Sequence, residues 1–498
     1  EGQVTLDRSI SDETALRALF EKAVRRFESI HAMAITDYES REAFFRDCIL
    51  NDEGLKQLKE RFDLWCAIWF WPGEWLDENA PTPDRFYQPT PEIVTRVQSL
   101  TDSLRFFHWE IEFPDVFVAG KGGFDAVVGN PPWEISKPKS QEFFSLFDPI
   151  YRMRGKQEAI ALQKDLFTQN PGIERSWLLY VAGFKAMGNW NRNAAFPFGD
   201  PVDEMVGGNT LSLIRGNANH DLQKKWRIQR LRHSGFADSE HPFRHQGSAD
   251  INTYKMFLEI AHSLCRITGR FGFIVPSVLY TDEGSSSLRE LFINKCNWEW
   301  LFGFENKKKI FQIHSSYKFC SIVIEKSGST SAIRASFMHT DLVDWEIPFS
   351  SIIPYYRKQI IQFSPKSHAL LEIRTEKDLT ILKKIYANAV LLGSKTSNGQ
   401  NLQYSTEFHV TNDSHLFPPL IWWKEKGYYQ NEYGWWIPQN DRKPELIFKG
   451  EKIAPDGDVA FPLYEGRMIG QFDFSEKGWV SGHGRSAIWR EISWQKKE

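Results

Sequence analysis

Residues 124–140 read FDAVVGNPPWEISKPKS. An apolar run, Phe124 to Val128, ends in a glycine, an asparagine, two prolines and a tryptophan, and the chain then turns polar. The run predicts a buried strand. In an open α/β sheet, ligands sit in the crevice beyond the carboxyl ends of the strands, and Asn130 falls there. Pro131 and Pro132 fix φ and lack N–H donors, so the carbonyls around them can face outward without serving a ladder. Asn130 adds a side-chain acceptor, and Trp133 adds a flat face on which a base can stack. Two acceptors converging on one point suit a substrate amino group.

The surrounding chain carries an α/β pattern. In SADINTYKMFLEIAHSLCRITGRFGFIVPSVLY (248–280), Tyr254, Phe257, Ala261 and Leu264 predict one helix face, Gly269 a helix stop, and Phe271 to Val275 a buried strand. The helix SSSLRELFINK (285–295) and the strand FCSIVIEKSG (319–328) follow, and strand, helix, strand is the signature of a doubly wound sheet. Before the motif, a helix is expected from an N-cap at Ser11 and another over 51–71; the proline-rich stretch 80–92 interrupts, and DSLRFFHWEIEFPDVF (102–117) alternates.

Residues 134–249 read as an insertion with helices at 155–167 and 176–187 and a basic run, KKWRIQRLRH (224–233). After about residue 335 the composition shifts to aromatic, glycine-rich segments such as WWKEKGYYQNEYGWW (422–436), with one clear helix at 375–386. The expected division is a helical segment over 1–103, a catalytic region over 104–334, and a further domain over 335–498.

With 498 residues, 41% of them hydrophobic and 25% charged, the chain is long enough for several domains with real cores. The apolar run Leu64 to Trp71 is far too short to span a bilayer. Five scattered cysteines without a CxxC argue for reduced thiols, a cytoplasmic setting and no structural zinc, and His314, His409 and His483 suggest no metal site. A net charge of −3 announces no nucleic-acid partner by itself.

FDAVVGNPPW resembles the Asn-Pro-Pro-aromatic motif of S-adenosylmethionine-dependent amino-methyltransferases, chiefly DNA adenine-N6 enzymes. The helix and strand after SADIN and the segment KIFQIHSSYKFCSIVIEKSG (309–328) are similar to the family's later elements, so the resemblance covers roughly 104–330. FHWEIEFPDVF (107–117), TEFHVTNDSHLF (406–417) and PLYEGRMIGQFDF (462–474) look like the long single-chain enzymes of type IIG restriction-modification and of the BREX and DISARM phage-defence systems.

The resemblance implies a partial Rossmann-like class I methyltransferase domain with helical insertions, followed by a mixed α/β target-recognition domain. It implies double-stranded DNA as substrate, with the base flipped out of the duplex, and S-adenosylmethionine as methyl donor. Asn130 and the Pro131 carbonyl would accept from the reacting amine, beside Pro132. Trp133 and Phe311 would face the flipped base, and Phe257 with Pro132 would face the cofactor. A core phenylalanine is the other reading of Phe257, and a loop ring packed on the insertion is the other reading of Phe311. Lys137, Lys139, Lys224, Lys225, Arg227, Arg230 and Arg232 are candidates for phosphate contacts, with a solvated helix face as the plain alternative for the basic run.

The family carries a glycine-rich loop before this motif, and residues 1–129 supply none. GKGG (120–123) precedes the strand directly and reads as a turn. With Glu1 rather than Met at the start, the chain is expected to be part of a longer protein, or to receive the missing half from another polypeptide or defence-system subunit. Two other functions compete. One is a non-catalytic DNA-binding subunit that keeps the fold; the other is a protein glutamine methyltransferase, which shares an Asn-Pro-Pro-aromatic motif.

Overall fold

The protein is described from a computed structural model covering residues 3–71, 75, 89–117, 122–192, 243–247, 251–345, 352–391, 417–418, 420–431, 436–439, 460, 477–481 and 488–493. It divides into two compact units, residues 1–149 with 166–402, and residues 150–165 with 403–498.

The first unit opens with helices α1 (Gln3–Ala32), α2 (Glu53–Trp69) and α3 (Pro91–Leu104). Asp52 caps α2 by accepting from the Leu55 N–H at 2.9 Å, and the same carboxylate pairs with Lys22 and Arg26 of α1. One residue therefore starts α2 and ties it to α1. Leu64 and Ala67 of α2 pack with Ile93, Val97 and Leu100 of α3 and with Val181 of α4 (Pro171–Arg192). On α2 a buried carboxylate, Asp63, bonds His108 at 2.7 Å and Lys59 at 2.7 Å.

The centre of the unit is a six-stranded sheet in the order β1-β2-β4-β3-β5-β6. Its strands are β1 (Phe124–Gly129), β2 (Cys265–Pro276), β3 (Asn297–Glu305), β4 (Lys318–Glu325), β5 (Ala332–His339) and β6 (Ile353–Tyr356). Strands β1 and β2 are parallel, with Val127 opposite Phe271 and Gly129 opposite Phe273. Phe271, Phe273 and Val275 point to one face, where α5 (Thr253–Leu264) contributes Tyr254, Leu258 and Ala261, and α6 (Ser286–Lys295) contributes Leu288, Leu291 and Phe292. Truncating one such ring, Phe271→Ala for instance, should cost about 3–5 kcal/mol.

The sheet is mixed. The strand expected after α6, 319–328, is β4, and it runs antiparallel to β2; the parallel return through α6 is made by β3, a strand the sequence reading did not anticipate, and β4 lies between the two. The loop 306–317 joins β3 to β4, and with no crossover helix in it the two strands pair as an antiparallel hairpin. Helix α7 (Glu376–Asn388) starts on a reciprocal cap between Thr375 and Asp378, as its sequence suggests.

Several sequence expectations change. Helix α1 begins at Gln3, so Ser11 lies inside it and not at its start. The alternating stretch before the motif forms two short helices, Trp109–Glu112 and Pro114–Phe117, broken by Phe113-Pro114. Helix α5 ends at Leu264, where the Lys326 ammonium binds the carbonyls of Ser263 and Cys265 at 3.1 and 2.6 Å. Gly269 belongs instead to the irregular start of β2, where a Cβ would meet the carbonyls of Phe124 and Arg266 at 2.8 and 2.9 Å. Gly122 and Gly123 have positive φ, so the described half of GKGG turns as expected.

Strand β1 is not buried: among the described strands of the sheet it is the outermost, and Val128 is 84% exposed. Residue 335 falls inside β5, which pairs with β3, and the compact unit runs on to Leu402. The segments 406–416 and 462–474 lie outside the described residues. In the second unit the described elements include a helix, Leu420–Glu425, and two antiparallel pairs, β7 (Tyr428–Gln430) with β8 (Trp436–Pro438) and β9 (Lys477–Ser481) with β10 (Ile488–Glu491). No described helix is long and apolar enough to cross a membrane.

Candidate active site

Asn130 follows β1 directly at its carboxyl end and is exposed, and its side chain has no hydrogen bond to another described residue. Pro131 is buried behind it. At Gly129 an added Cβ would lie 3.1 Å from the Phe273 ring, so the strand end sits close against β2. Asparagine here is a hydrogen-bonding group held on rigid backbone and left free.

Trp133 turns back onto the sheet. Its indole N–H donates to the Ile274 carbonyl at 3.3 Å, and its ring lies 6.0 Å from Phe319 and 5.8 Å from Phe311. The Trp133 and Phe311 planes meet at 76°, edge to face. Phe311 also packs edge-on against Phe319 at 4.9 Å, and Phe319 stacks on Phe304 at 5.2 Å and 8°. The two rings implied for the base thus touch each other and rest on an aromatic floor. A base lying between them requires one ring to turn aside.

The chain leaving the motif is stitched to the start of α5. The Thr253 N–H and hydroxyl both donate to the Glu134 carbonyl at 2.9 Å, and the Ser136 N–H donates to the Ile251 carbonyl at 2.8 Å. Phe257 lies one helical turn beyond Thr253 and is 41% exposed, while its neighbour Leu258 is buried. The predicted face is therefore rotated: Tyr254, Leu258 and Ala261 meet the sheet, and Phe257 points away from it.

Lys137 is exposed, and Lys139 pairs with Glu142 at 3.0 Å, a carboxylate that holds its ammonium above the usual range. Lys224, Lys225, Arg227, Arg230 and Arg232 lie outside the described residues. All five cysteines are free thiols; burial pushes Cys296 up to about 12, and it raises Cys265 and Cys320 as well. Buried thiols with raised pKa values are inert as nucleophiles at neutral pH. Sequence reading missed the Thr253–Glu134 contact, the Ile274 carbonyl under Trp133 and the buried Asn306 beside Phe311. None of these leaves a local signal.

Residues 51–168 and 227–311 match the family model of the Eco57I restriction-modification methylase, fewer than half of the chain's residues. The matched parts contain Asn130 to Trp133 and all of α5, and end at Phe311. No curated protein matches the chain. Among solved structures it is similar to a type I restriction-modification methyltransferase subunit from Streptococcus thermophilus, at 11% identity over 71% of this chain and 98% of that one, with a TM-score of 0.20. It is also similar to the type IIG restriction endonuclease BpuSI, at 13% identity over 62% of this chain and 42% of that one, again with a TM-score of 0.20.

Proposed function

We propose that this chain is the catalytic and target-facing part of an S-adenosylmethionine-dependent DNA methyltransferase that acts on the N6 amino group of adenine, in a restriction-modification or phage-defence setting. The observation that carries the reading is Asn130: an exposed asparagine with an unengaged amide, fixed at a strand end before a buried proline, within a segment that matches a restriction-modification methylase family.

Adenine's exocyclic nitrogen is a poor nucleophile because its lone pair is delocalised into the ring. The Asn130 Oδ1 and the Pro131 carbonyl accept one N–H each, which favours a pyramidal nitrogen and stabilises the positive charge that develops on it. Positioning and electrostatics do the work, with no covalent protein intermediate. Taking the base out of the duplex costs a few kcal/mol. Stacking on Trp133, once Phe311 turns, offsets part of this at about 1–3 kcal/mol.

The cofactor, when bound, supplies an electrophilic methyl group. The exposed Phe257 ring, one turn from the stitched end of the motif, fits the adenine end of such a molecule. For the methionine end, residues 1–129 offer no glycine-rich loop. We assign that contact to a further part of the protein or to a partner subunit, adding at the open edge of β1 where Val128 stands bare. The missing loop is also what favours the second reading, a non-catalytic DNA-binding subunit.

Incubating the native protein with tritiated S-adenosylmethionine and duplex DNA, then digesting to nucleosides, separates these readings. Label in N6-methyladenine is the expected result. Sequence-dependent DNA binding without any methyl transfer would support the non-catalytic subunit, and label in a protein glutamine would overturn both.

A further inference from the structure

The loop 306–317, which carries Phe311, is built around one buried side chain. Asn306 is 0% exposed. Its Oδ1 accepts from the Phe311 N–H at 2.9 Å, and its Nδ2 donates to the carbonyls of Phe311 at 3.0 Å and Ile313 at 3.1 Å, with His314 at 3.4 Å. Its backbone N–H donates to the Tyr317 carbonyl at 2.9 Å, and its carbonyl accepts from the Lys309 N–H at 2.9 Å. Below the loop, the register partners Glu305 and Lys318 form an ion pair at 3.2 Å, and Lys318 also binds Glu372 at 2.5 Å.

One amide thus binds both backbone groups of Phe311 and ties them to the far limb of the loop. A buried amide that satisfies the donor of Phe311 and the acceptors of Phe311, Ile313 and His314 takes the place of the ladder the loop lacks. The exposed residues around it, Lys307 to Lys309 and His314 to Tyr317, supply no competing core.

We infer that Asn306 is a positioning residue that holds Phe311 against Trp133, so that the aromatic pair is preorganised and the loop is not a lid. The inference rests on the reading of Trp133 and Phe311 as the base-facing pair. In this arrangement the base gains access by rotation of the Phe311 side chain while the backbone stays where Asn306 holds it. Asn306→Asp is the sharpest variant, because it keeps the shape and the acceptor for the Phe311 N–H but turns an oxygen toward the carbonyls of Phe311 and Ile313.

Hydrogen exchange on the full 498-residue chain tests the structural half without any activity. Exchange in peptides spanning 307–317 should rise at least ten-fold in Asn306→Asp and in Asn306→Ala, while the ladder between β3 and β4 stays protected. Unchanged loop protection overturns the inference, and so does equal loss across the sheet, which would make Asn306 a residue of the fold alone. Single-turnover methyl transfer by the native protein tests the functional half. Asn306→Asp should slow transfer, and the double variant with Phe311→Ala should be no slower than Phe311→Ala alone. Independent, multiplying effects overturn the inference. If the unaltered protein transfers no methyl group, the methyltransferase reading fails instead, and the exchange result still judges Asn306.

Discussion

Thr253 gives both its backbone N–H and its hydroxyl to the carbonyl of Glu134, each at 2.9 Å, and so fastens the exit of the Asn-Pro-Pro-Trp segment to the first turn of α5. The motif is gripped from two sides, by β2 beneath Gly129 and Trp133 and by α5 behind Glu134. Thr253→Val keeps the shape and the N–H bond but removes the hydroxyl. Chemical denaturation should show a loss of about 1 kcal/mol. Methyl transfer should fall several-fold at temperatures where the variant is fully folded, because the grip loosens next to Asn130.

Asn130→Ala should leave stability within about 0.5 kcal/mol of the parent, since the side chain is exposed and bonds no described residue. Transfer of label to DNA should drop by about 10²-fold or more. A variant with parental turnover would sink the assignment of this residue.

Trp133 has a structural share that Asn130 lacks. Its ring packs on Phe319 and Phe311, and its N–H is bonded to Ile274, so Trp133→Ala should cost roughly 3 kcal/mol of stability as well as most activity. Trp133→Phe keeps a face for the base and loses the indole bond, and it should retain measurable transfer. Comparing turnover at matched fractions folded separates the two roles: equal turnover for the Ala variant and the parent would make Trp133 a core residue only.

How much of this was legible follows from what each element depends on. Strands β2 and β4 and helices α6 and α7 announce themselves because their apolar spacing and their stops are local. The stretch 102–117 misleads because its large residues recur at spacings that suit a strand or a short helix, and Pro114 decides for two helical turns. Phe257 misleads for a different reason: two adjacent apolar residues define two possible faces, and the sheet selects Leu258. Asn306 stands before three lysines and looks like surface, and only the folded loop shows that its amide is enclosed.

His262, on α5, is held well below its ordinary value, at about 4, first by burial and then by the positive neighbours Lys326, His245 and Lys295. Its ring lies against Phe271 at 6.4 Å. A histidine depressed in the folded state stays neutral there while the unfolded chain takes up a proton below about 6.5. Its contribution is therefore complete above that pH and is lost progressively as the pH falls toward 4. Denaturation midpoints between pH 7 and pH 4 should decline less steeply in His262→Gln than in the parent. Parallel curves would mean that other groups set the acid limb.

Strand β1 should find its partner late in folding. Its six residues pair with β2 across the whole of 134–249, whereas β2, α6, β3, β4 and β5 follow one another within 265–339. Closing the longer connection costs more chain entropy, so the local part of the sheet should assemble first and β1 should join a finished edge. Pulse-labelled exchange during refolding should then protect Phe273 and Ile322 before Val127. The Asn-Pro-Pro-Trp segment that follows β1 would then be the last piece set in place, and if it carries the proposed chemistry, only molecules that have already built the rest of the sheet would possess it.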